Sequence, residues 1–138
     1  MQVRLYEIPK GIMAVLQLPV CSSMGGEGNM KRSIKYIKPI PTSHKAGMKR
    51  VLLAAKESEC PITQIAITDL NAGEIAEAHI HEDMQEGFYV MSGELDIVLN
   101  GDVEHCQAED FVYVKCGTSH ELRAISDVRV MTIGCELR

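Results

Sequence analysis

The sequence predicts an all-β fold, either an antiparallel sandwich or a barrel. Short apolar runs recur every ten or so residues from residue 60 onward, turn residues separate them, and no long helical period intervenes. The length of 138 residues suits one domain with a sizeable core, so two separately folded domains are not expected.

The N-terminal segment is predicted to contribute one or two strands rather than a signal peptide. The apolar run 11–20 precedes Cys21 as in a lipoprotein signal, but Glu7 weakens the basic start and Pro19 interrupts the run. The Gly-rich stretch 25–29 is interpreted as a flexible linker, and it lacks the Gly-Lys-Ser/Thr ending of a phosphate-binding loop. Two alternatives stay open for this segment: an arm outside the core or an upstream extension.

Charge is divided unevenly along the chain. Residues 31–50 carry seven Lys and Arg and no acid, whereas residues 57–138 hold 17 acids against four basic residues, a net charge of −13. We expect the basic stretch to pack along its own acidic domain or that of a neighbouring subunit, and the alternative is an anion or nucleic-acid patch. Residues 45–56, which overlap the end of this basic stretch, offer the one possible helical turn in the sequence.

From residue 60 onward, the pattern alternates between strand and turn. Residues 62–70 alternate apolar and polar side chains with period two, which is typical of a half-buried strand. Asn100-Gly101 follows the apolar run 95–99 and indicates a tight hairpin, because both residues tolerate positive φ. The predicted strands are residues 62–70, 88–91, 95–99, 111–114 and 128–133.

Composition excludes several classes of protein. No apolar run approaches the roughly 20 residues of a membrane-spanning helix. A net charge of −5, two Phe, four Tyr and no Trp disfavour nucleic-acid binding. The five cysteines are scattered and odd in number, which favours free thiols in a reducing compartment and therefore a cytoplasmic protein.

A cluster of metal-ligating residue types is the strongest chemical signal. His79 and His81 lie two residues apart in a strand-like stretch, so their side chains point to the same face. Glu86 could add a carboxylate from the next strand and His120 an imidazole from a third, with Gln85 the alternative to Glu86. Such a set suits a divalent transition metal such as Fe, Mn, Ni, Cu or Zn rather than Mg or Ca. The alternative is a solvated histidine pair.

The spacing around these residues resembles a known family, the cupins. Gly73, His79, His81, Glu86 and Gly93 are separated by five, one, four and six residues, as in the first cupin motif. The second motif is matched in part. Gly117 and His120 occupy its glycine and histidine positions, whereas its first glycine, its proline and its terminal asparagine are replaced by Glu109, Lys115 and Ala124.

The resemblance implies a double-stranded β-helix of two antiparallel sheets over residues 45–138, with residues 1–44 as an N-terminal extension. It also implies metal ligands at His79, His81, Glu86 and His120, and a homodimer. The expected function is that of a small metal-dependent cupin enzyme acting on a small, anionic or sugar-derived molecule by oxygenase, isomerase or decarboxylase chemistry. The alternatives are a non-catalytic binding or sensing cupin and a metal-free sugar epimerase.

Several other residues have weaker signals. His44 and His105 are predicted to be surface or loop histidines rather than ligands. Tyr89, Tyr113 and Arg123 could reach the mouth of a pocket or serve only in packing and on the surface.

Overall fold

A computed structural model describes residues 30–137 and the backbone of residues 3–8 and 12–17. The chain divides into two compact units, residues 1–37 and 38–138. In the first unit, β1 (Val3–Ile8) and β2 (Ile12–Gln17) form an antiparallel hairpin, in line with the strand interpretation, and a single 3₁₀ turn spans Ile34–Tyr36. The predicted linker at 25–29 lies outside the described residues.

The second unit consists of two antiparallel sheets, which confirms the predicted fold class of a double-stranded β-helix. The six-stranded sheet has the order β10-β7-β12-β5-β4-β3, and the four-stranded sheet has the order β6-β11-β8-β9. The strands are β3 (Ile40–Pro41), β4 (Met48–Ala54), β5 (Ile62–Leu70), β6 (Ile75–His79), β7 (Met84–Ser92), β8 (Glu94–Leu99), β9 (Asp102–Gln107), β10 (Phe111–Val114), β11 (His120–Ala124) and β12 (Val128–Glu136).

The predicted helical turn at 45–56 is wrong for most of its length. Residues Met48–Ala54 form β4, and only Ala55–Glu57 adopt a 3₁₀ turn. This stretch is rich in Ala, Leu and Lys, which favour a helix, but β4 pairs with β5 from Met48 to Ala54. The hydrogen bonds and cross-strand contacts of that pairing override the local preference.

The hydrophobic core lies between the inner faces of the two sheets. Alternate residues of β8 (Leu95 and Ile97) and of β12 (Val128 and Val130) are buried and belong to one apolar cluster. Phe88 of β7 joins the same cluster. The period-two alternation seen in the sequence therefore separates the core face of each sheet from its outer face.

Residues with positive φ lie at four of the six places where the described chain passes from one sheet to the other. Gly73 lies between β5 and β6, Gly93 between β7 and β8, Glu109 between β9 and β10, and Gly117 between β10 and β11. A left-handed backbone conformation reverses the chain within few residues, and glycine adopts it without steric cost. Glu109 adopts it with φ 76° at a position where the cupin motif carries glycine.

The predicted hairpin at Asn100-Gly101 is confirmed. Asn100 has φ 49° and Gly101 has φ 92°, and they join β8 to β9 within the four-stranded sheet. Within the part of the chain that the structure describes, no helix is long and apolar enough to cross a membrane.

Candidate metal centre

Two of the four predicted ligands are fixed by strand register in the four-stranded sheet. His79 is the last residue of β6 and His120 the first of β11, and the two are direct cross-strand partners. Their ring centroids lie 4.1 Å apart. His120 is also paired with Leu99 of β8 on its other side, and it is only 1% exposed. Its position is therefore set by hydrogen bonding on both sides and by packing.

The other two predicted ligands approach from outside that sheet. Glu86 lies in β7 of the six-stranded sheet, is buried, and has its Oε2 atom 3.0 Å from Nε2 of His120. His81 follows the end of β6, and its Nε2 atom lies 3.5 Å from the same carboxylate oxygen. The structure thus brings together all four residues that the sequence singled out, at the point where the two sheets face each other.

Backbone carbonyl groups orient two of the imidazole rings. Nδ1 of His79 lies 2.8 Å from the carbonyl oxygen of Glu77, and Nδ1 of His120 lies 3.0 Å from that of Thr118. Because a carbonyl oxygen only accepts, both Nδ1 atoms carry the proton in this network. In His79 this tautomer leaves Nε2 with a free lone pair. In many proteins, the same kind of hydrogen bond from Nδ1 orients a metal-binding histidine.

The electrostatics of the cluster favour an ionised carboxylate at Glu86 and a neutral imidazole at His79. Burial lowers the pKa of His79, and it also lowers the pKa of the neighbouring His44. Burial alone would raise the pKa of Glu86, but the hydrogen bond with His120 and the nearby histidines outweigh it, so this pKa is lowered. For His120 the hydrogen bonds with Glu86 and Thr118 outweigh burial, and its pKa is raised.

The geometry and chemistry of this group fit a transition-metal ion. One ligand atom from each of the four residues lies within 4.8 Å of the others. Ligands at about 2.0–2.2 Å from an ion are about 3–4.4 Å apart, depending on whether they are adjacent or opposite, so the four atoms already span nearly the distance that one ion requires. Three imidazoles and one carboxylate match a borderline divalent ion better than Mg or Ca. The set therefore suggests a metal site.

A cavity adjoins the cluster between the sheets. Its volume is about 80 Å³, and His79 and Glu86 form part of its lining. In this measure a single water needs about 10–15 Å³, so the cavity has room for several waters or one small organic molecule. Its apolar wall includes Phe88, Leu122 and Val130.

Sequence reasoning missed several residues of this cavity, and His44 and Lys49 are the two nearest to its chemistry. His44 lies in the loop before β4, as predicted, but its ring stacks on that of His79 with centroids 3.8 Å apart and planes 19° apart. Lys49 lies in β4, and its Nζ atom donates to Oε1 of Gln64 at 3.0 Å. Only the tertiary pairing of β4 brings both residues to the cavity. The composition of residues 45–56 favours a helix, so the sequence did not indicate the strand alternation that points Lys49 to this face.

The remaining candidates lie elsewhere. His105 is exposed in β9 and pairs with Asp96 at 2.8 Å, as expected of a surface histidine. Gln85, the alternative ligand, instead accepts a hydrogen bond from the hydroxyl of Tyr113. Tyr89, Tyr113 and Arg123 are exposed and do not line the cavity.

The sequence of residues 66–134 matches the cupin domain family, and this match covers half of the chain. The chain belongs to the cupin family. No curated protein sequence matches it at a significant level. The family assignment agrees with the two-sheet fold and with the convergence of the residues of both motifs on one point between the sheets.

Solved structures of low sequence identity share the cupin fold. A predicted oxalate decarboxylase from Thermotoga maritima is 23% identical, with a TM-score of 0.73 over 78% of this chain and 100% of that one. Ectoine synthase from P. lautus is 21% identical, with a TM-score of 0.68 over 78% of each chain. KdgF from Halomonas sp. is 17% identical, with a TM-score of 0.59 over 70% of this chain and 84% of that one.

A backbone hydrogen bond links the second cupin motif to the first, although the second motif is incomplete. The backbone N–H of Gly117, with φ 77°, donates to the carbonyl oxygen of His81 at 2.8 Å. The turn before β11 therefore holds the backbone of a candidate ligand that lies beyond the end of β6. Glu109, which stands where the motif carries glycine, adopts the left-handed conformation that glycine favours.

Proposed function

We propose that this cupin binds one divalent transition metal, such as Fe, Mn, Ni, Cu or Zn, through His79, His81, Glu86 and His120. The observation that carries the proposal is the spacing of the four ligand atoms, all within 4.8 Å of one another. A buried carboxylate beside three imidazoles is costly unless it is paired, and a bound cation satisfies all four groups at once.

The proposed function is that of a metal-dependent enzyme acting on a small organic acid or a sugar-derived molecule. A bound ion supplies Lewis-acid polarisation of a carbonyl or carboxylate oxygen. Three neutral imidazoles and one carboxylate leave about one positive charge with a divalent ion, which attracts an anionic or enolisable ligand. The cavity beside His79 and Glu86 has the size for such a ligand. Oxygenase, isomerase and decarboxylase chemistry are the reaction types proposed.

Metal analysis of the purified protein tests this function. We expect about one equivalent of metal after reconstitution with Fe, Mn, Ni or Zn in turn. Less than about a tenth of an equivalent with every ion would contradict the proposal. Oxygen consumption or product formation in a substrate panel then separates an enzyme from a binding protein, and activity that survives chelation would instead indicate a metal-free epimerase.

His81→Ala gives the sharpest test of the ligand set. His81 contacts Glu86 and is only partly buried, so its removal should leave the fold intact while abolishing metal loading. His105→Ala is the matched control, because His105 is exposed and pairs with Asp96 away from the cluster. Full metal stoichiometry in the His81 variant would show that the ligand set is wrong.

The proposal extends to the state of the protein in the cell. The family resemblance supports a homodimer, and the free cysteines of the described chain support a reducing, cytoplasmic location. The basic stretch is proposed to pack on acidic surface, and one such contact lies within the barrel, where Arg50 pairs with Asp69 at 2.9 Å.

A further inference from the structure

We propose that Lys49 and Gln64 form a carboxylate-binding subsite in the cavity of this cupin. Both residues line the same cavity as His79 and Glu86. The inference rests on the proposed function for the role of the metal, and it names the substrate class as a small carboxylic acid rather than a neutral sugar.

The hydrogen-bond donors of this pair are left over for a ligand. Lys49 carries three N–H groups and uses one of them on Oε1 of Gln64. Because that oxygen accepts from Lys49, the amide NH₂ of Gln64 stays available with two further donors. Thr68 and Thr132 line the same space. A group that only accepts hydrogen bonds, such as a carboxylate, satisfies this set best.

The charge of Lys49 is not balanced by a protein carboxylate. Among the residues that the structure describes, no Asp or Glu oxygen lies within 4.0 Å of its ammonium group, whose contact is the neutral Gln64. Within residues 30–137, the one carboxylate that lines the cavity is that of Glu86, and it is engaged by His120 and His81. A partly buried ammonium without a counter-ion favours an anionic ligand.

The next residue in β4, Arg50, is a basic residue whose charge is paired with a carboxylate in this sheet. Arg50 points to the opposite face, as strand alternation requires, and pairs with Asp69 at 2.9 Å. Lys49 points inward and lacks such a partner within the described chain. The two adjacent basic residues therefore differ in role, one tying strands together and the other facing the cavity.

Ligand binding to the metal-loaded protein tests the subsite. The probes are acetate, oxalate and malonate, with malonamide as the uncharged analogue, measured by calorimetric titration. We expect at least one of the carboxylates to bind, and Lys49→Met to weaken that binding about ten- to hundredfold, as expected for a charge-assisted hydrogen bond. Lys38→Met is the matched control, because it removes the same charge from an exposed lysine of the same basic stretch. It should leave the affinity within about twofold of the wild type.

The outcomes separate this inference from the proposed function. Normal metal content in Lys49→Met with unchanged carboxylate affinity overturns the subsite and leaves the metal site standing. If the wild-type protein takes up no metal, the same titrations on the metal-free protein still decide whether carboxylates bind through Lys49. Equal losses for malonate and malonamide, or no carboxylate binding in either form, also overturn the inference. Lys49→Gln, which keeps a hydrogen-bond donor without the charge, replaces Lys49→Met if the latter does not fold.

Discussion

The two sheets of this cupin contribute different chemistry to the same cavity. The four-stranded sheet supplies imidazoles, His79 and His120, whose positions follow from the pairing of β6 with β11. The six-stranded sheet supplies a carboxylate and a donor pair, Glu86 from β7 and Lys49 with Gln64 from β4 and β5. One sheet therefore presents imidazole nitrogens, whereas the other presents a carboxylate, an ammonium group and an amide.

The difference shows which part of the structure each half of the site depends on. The two imidazoles of the four-stranded sheet are neighbours within one hydrogen-bonded ladder, so they keep their spacing as long as β11 pairs with β6. Glu86 reaches them only because the sheets face each other, and that depends on the segments that cross between sheets. Damage to a strand partner and damage to a crossing should therefore have distinguishable effects.

Removing an imidazole from the four-stranded sheet should have the largest effect. In His120→Ala we expect metal affinity to fall by more than about 100-fold, since losing even a residue that orients a ligand costs 10–100-fold. The metal-free protein should also lose about 1–3 kcal/mol of stability, because Glu86 stays buried without its hydrogen-bond partner. Chelator competition and urea unfolding measure the two quantities.

The control for this variant is His105→Ala in β9 of the same sheet. His105 is exposed, so its removal should leave both metal affinity and stability close to those of the wild type. Metal affinity in His120→Ala within about threefold of the wild type would contradict the role assigned to the four-stranded sheet.

Breaking a crossing between the sheets should cost the next largest amount. In Gly93→Ala the new Cβ would collide with the carbonyl oxygen of Asp127 and lie 2.9 Å from Cα of Val128, and φ is 82°. Backbone strain and overpacking together should destabilise the protein by about 3 kcal/mol in urea unfolding. Gly73→Ala is the matched control, since φ is 85° but nothing lies within 4 Å, and it should cost about 1 kcal/mol. Equal losses of stability in the two variants would contradict the prediction that close packing at Gly93 adds to the backbone strain.

Most strands of the six-stranded sheet, the β8–β9 hairpin of the four-stranded sheet and the candidate ligand set could be predicted from the sequence. Two histidines two residues apart, with glycines at fixed distances along the chain, indicate a local geometry that depends on few neighbours, although β6 ends at His79 and His81 lies just beyond it. The Asn100-Gly101 hairpin is of the same kind, because two residues with positive φ specify the turn by themselves.

The rest of the cavity could not be predicted because it depends on pairing across the fold. Lys49 faces the cavity only once β4 pairs with β5, and the residues of β4 favour a helix in isolation. His44 reaches His79 from 35 positions away in sequence, and no local pattern indicates that contact. At Glu109 the fold likewise overrides the local preference, because a non-glycine residue adopts a left-handed conformation between β9 and β10.

Acid should weaken the six-stranded sheet through an ion-pair cluster that the four-stranded sheet does not share. Asp69 of β5 accepts hydrogen bonds from Arg129 of β12 and Arg50 of β4, and the bond from Arg129 is the main reason that the pKa of Asp69 is lowered. Because this pKa lies below that of the unfolded chain, about 3.9, the contribution is complete above about pH 5 and is lost as the pH falls through the folded value. The carboxylate is about one third exposed, so the effect should stay below about 1 kcal/mol.

Asp69→Asn should therefore be less stable than the wild type at pH 7 and approach it near pH 3, as measured by urea unfolding. Asp102→Asn, at an exposed aspartate of β9, is the control and should track the wild type. A constant gap between Asp69→Asn and the wild type across this range would mean that the charge of Asp69 does not hold these three strands together.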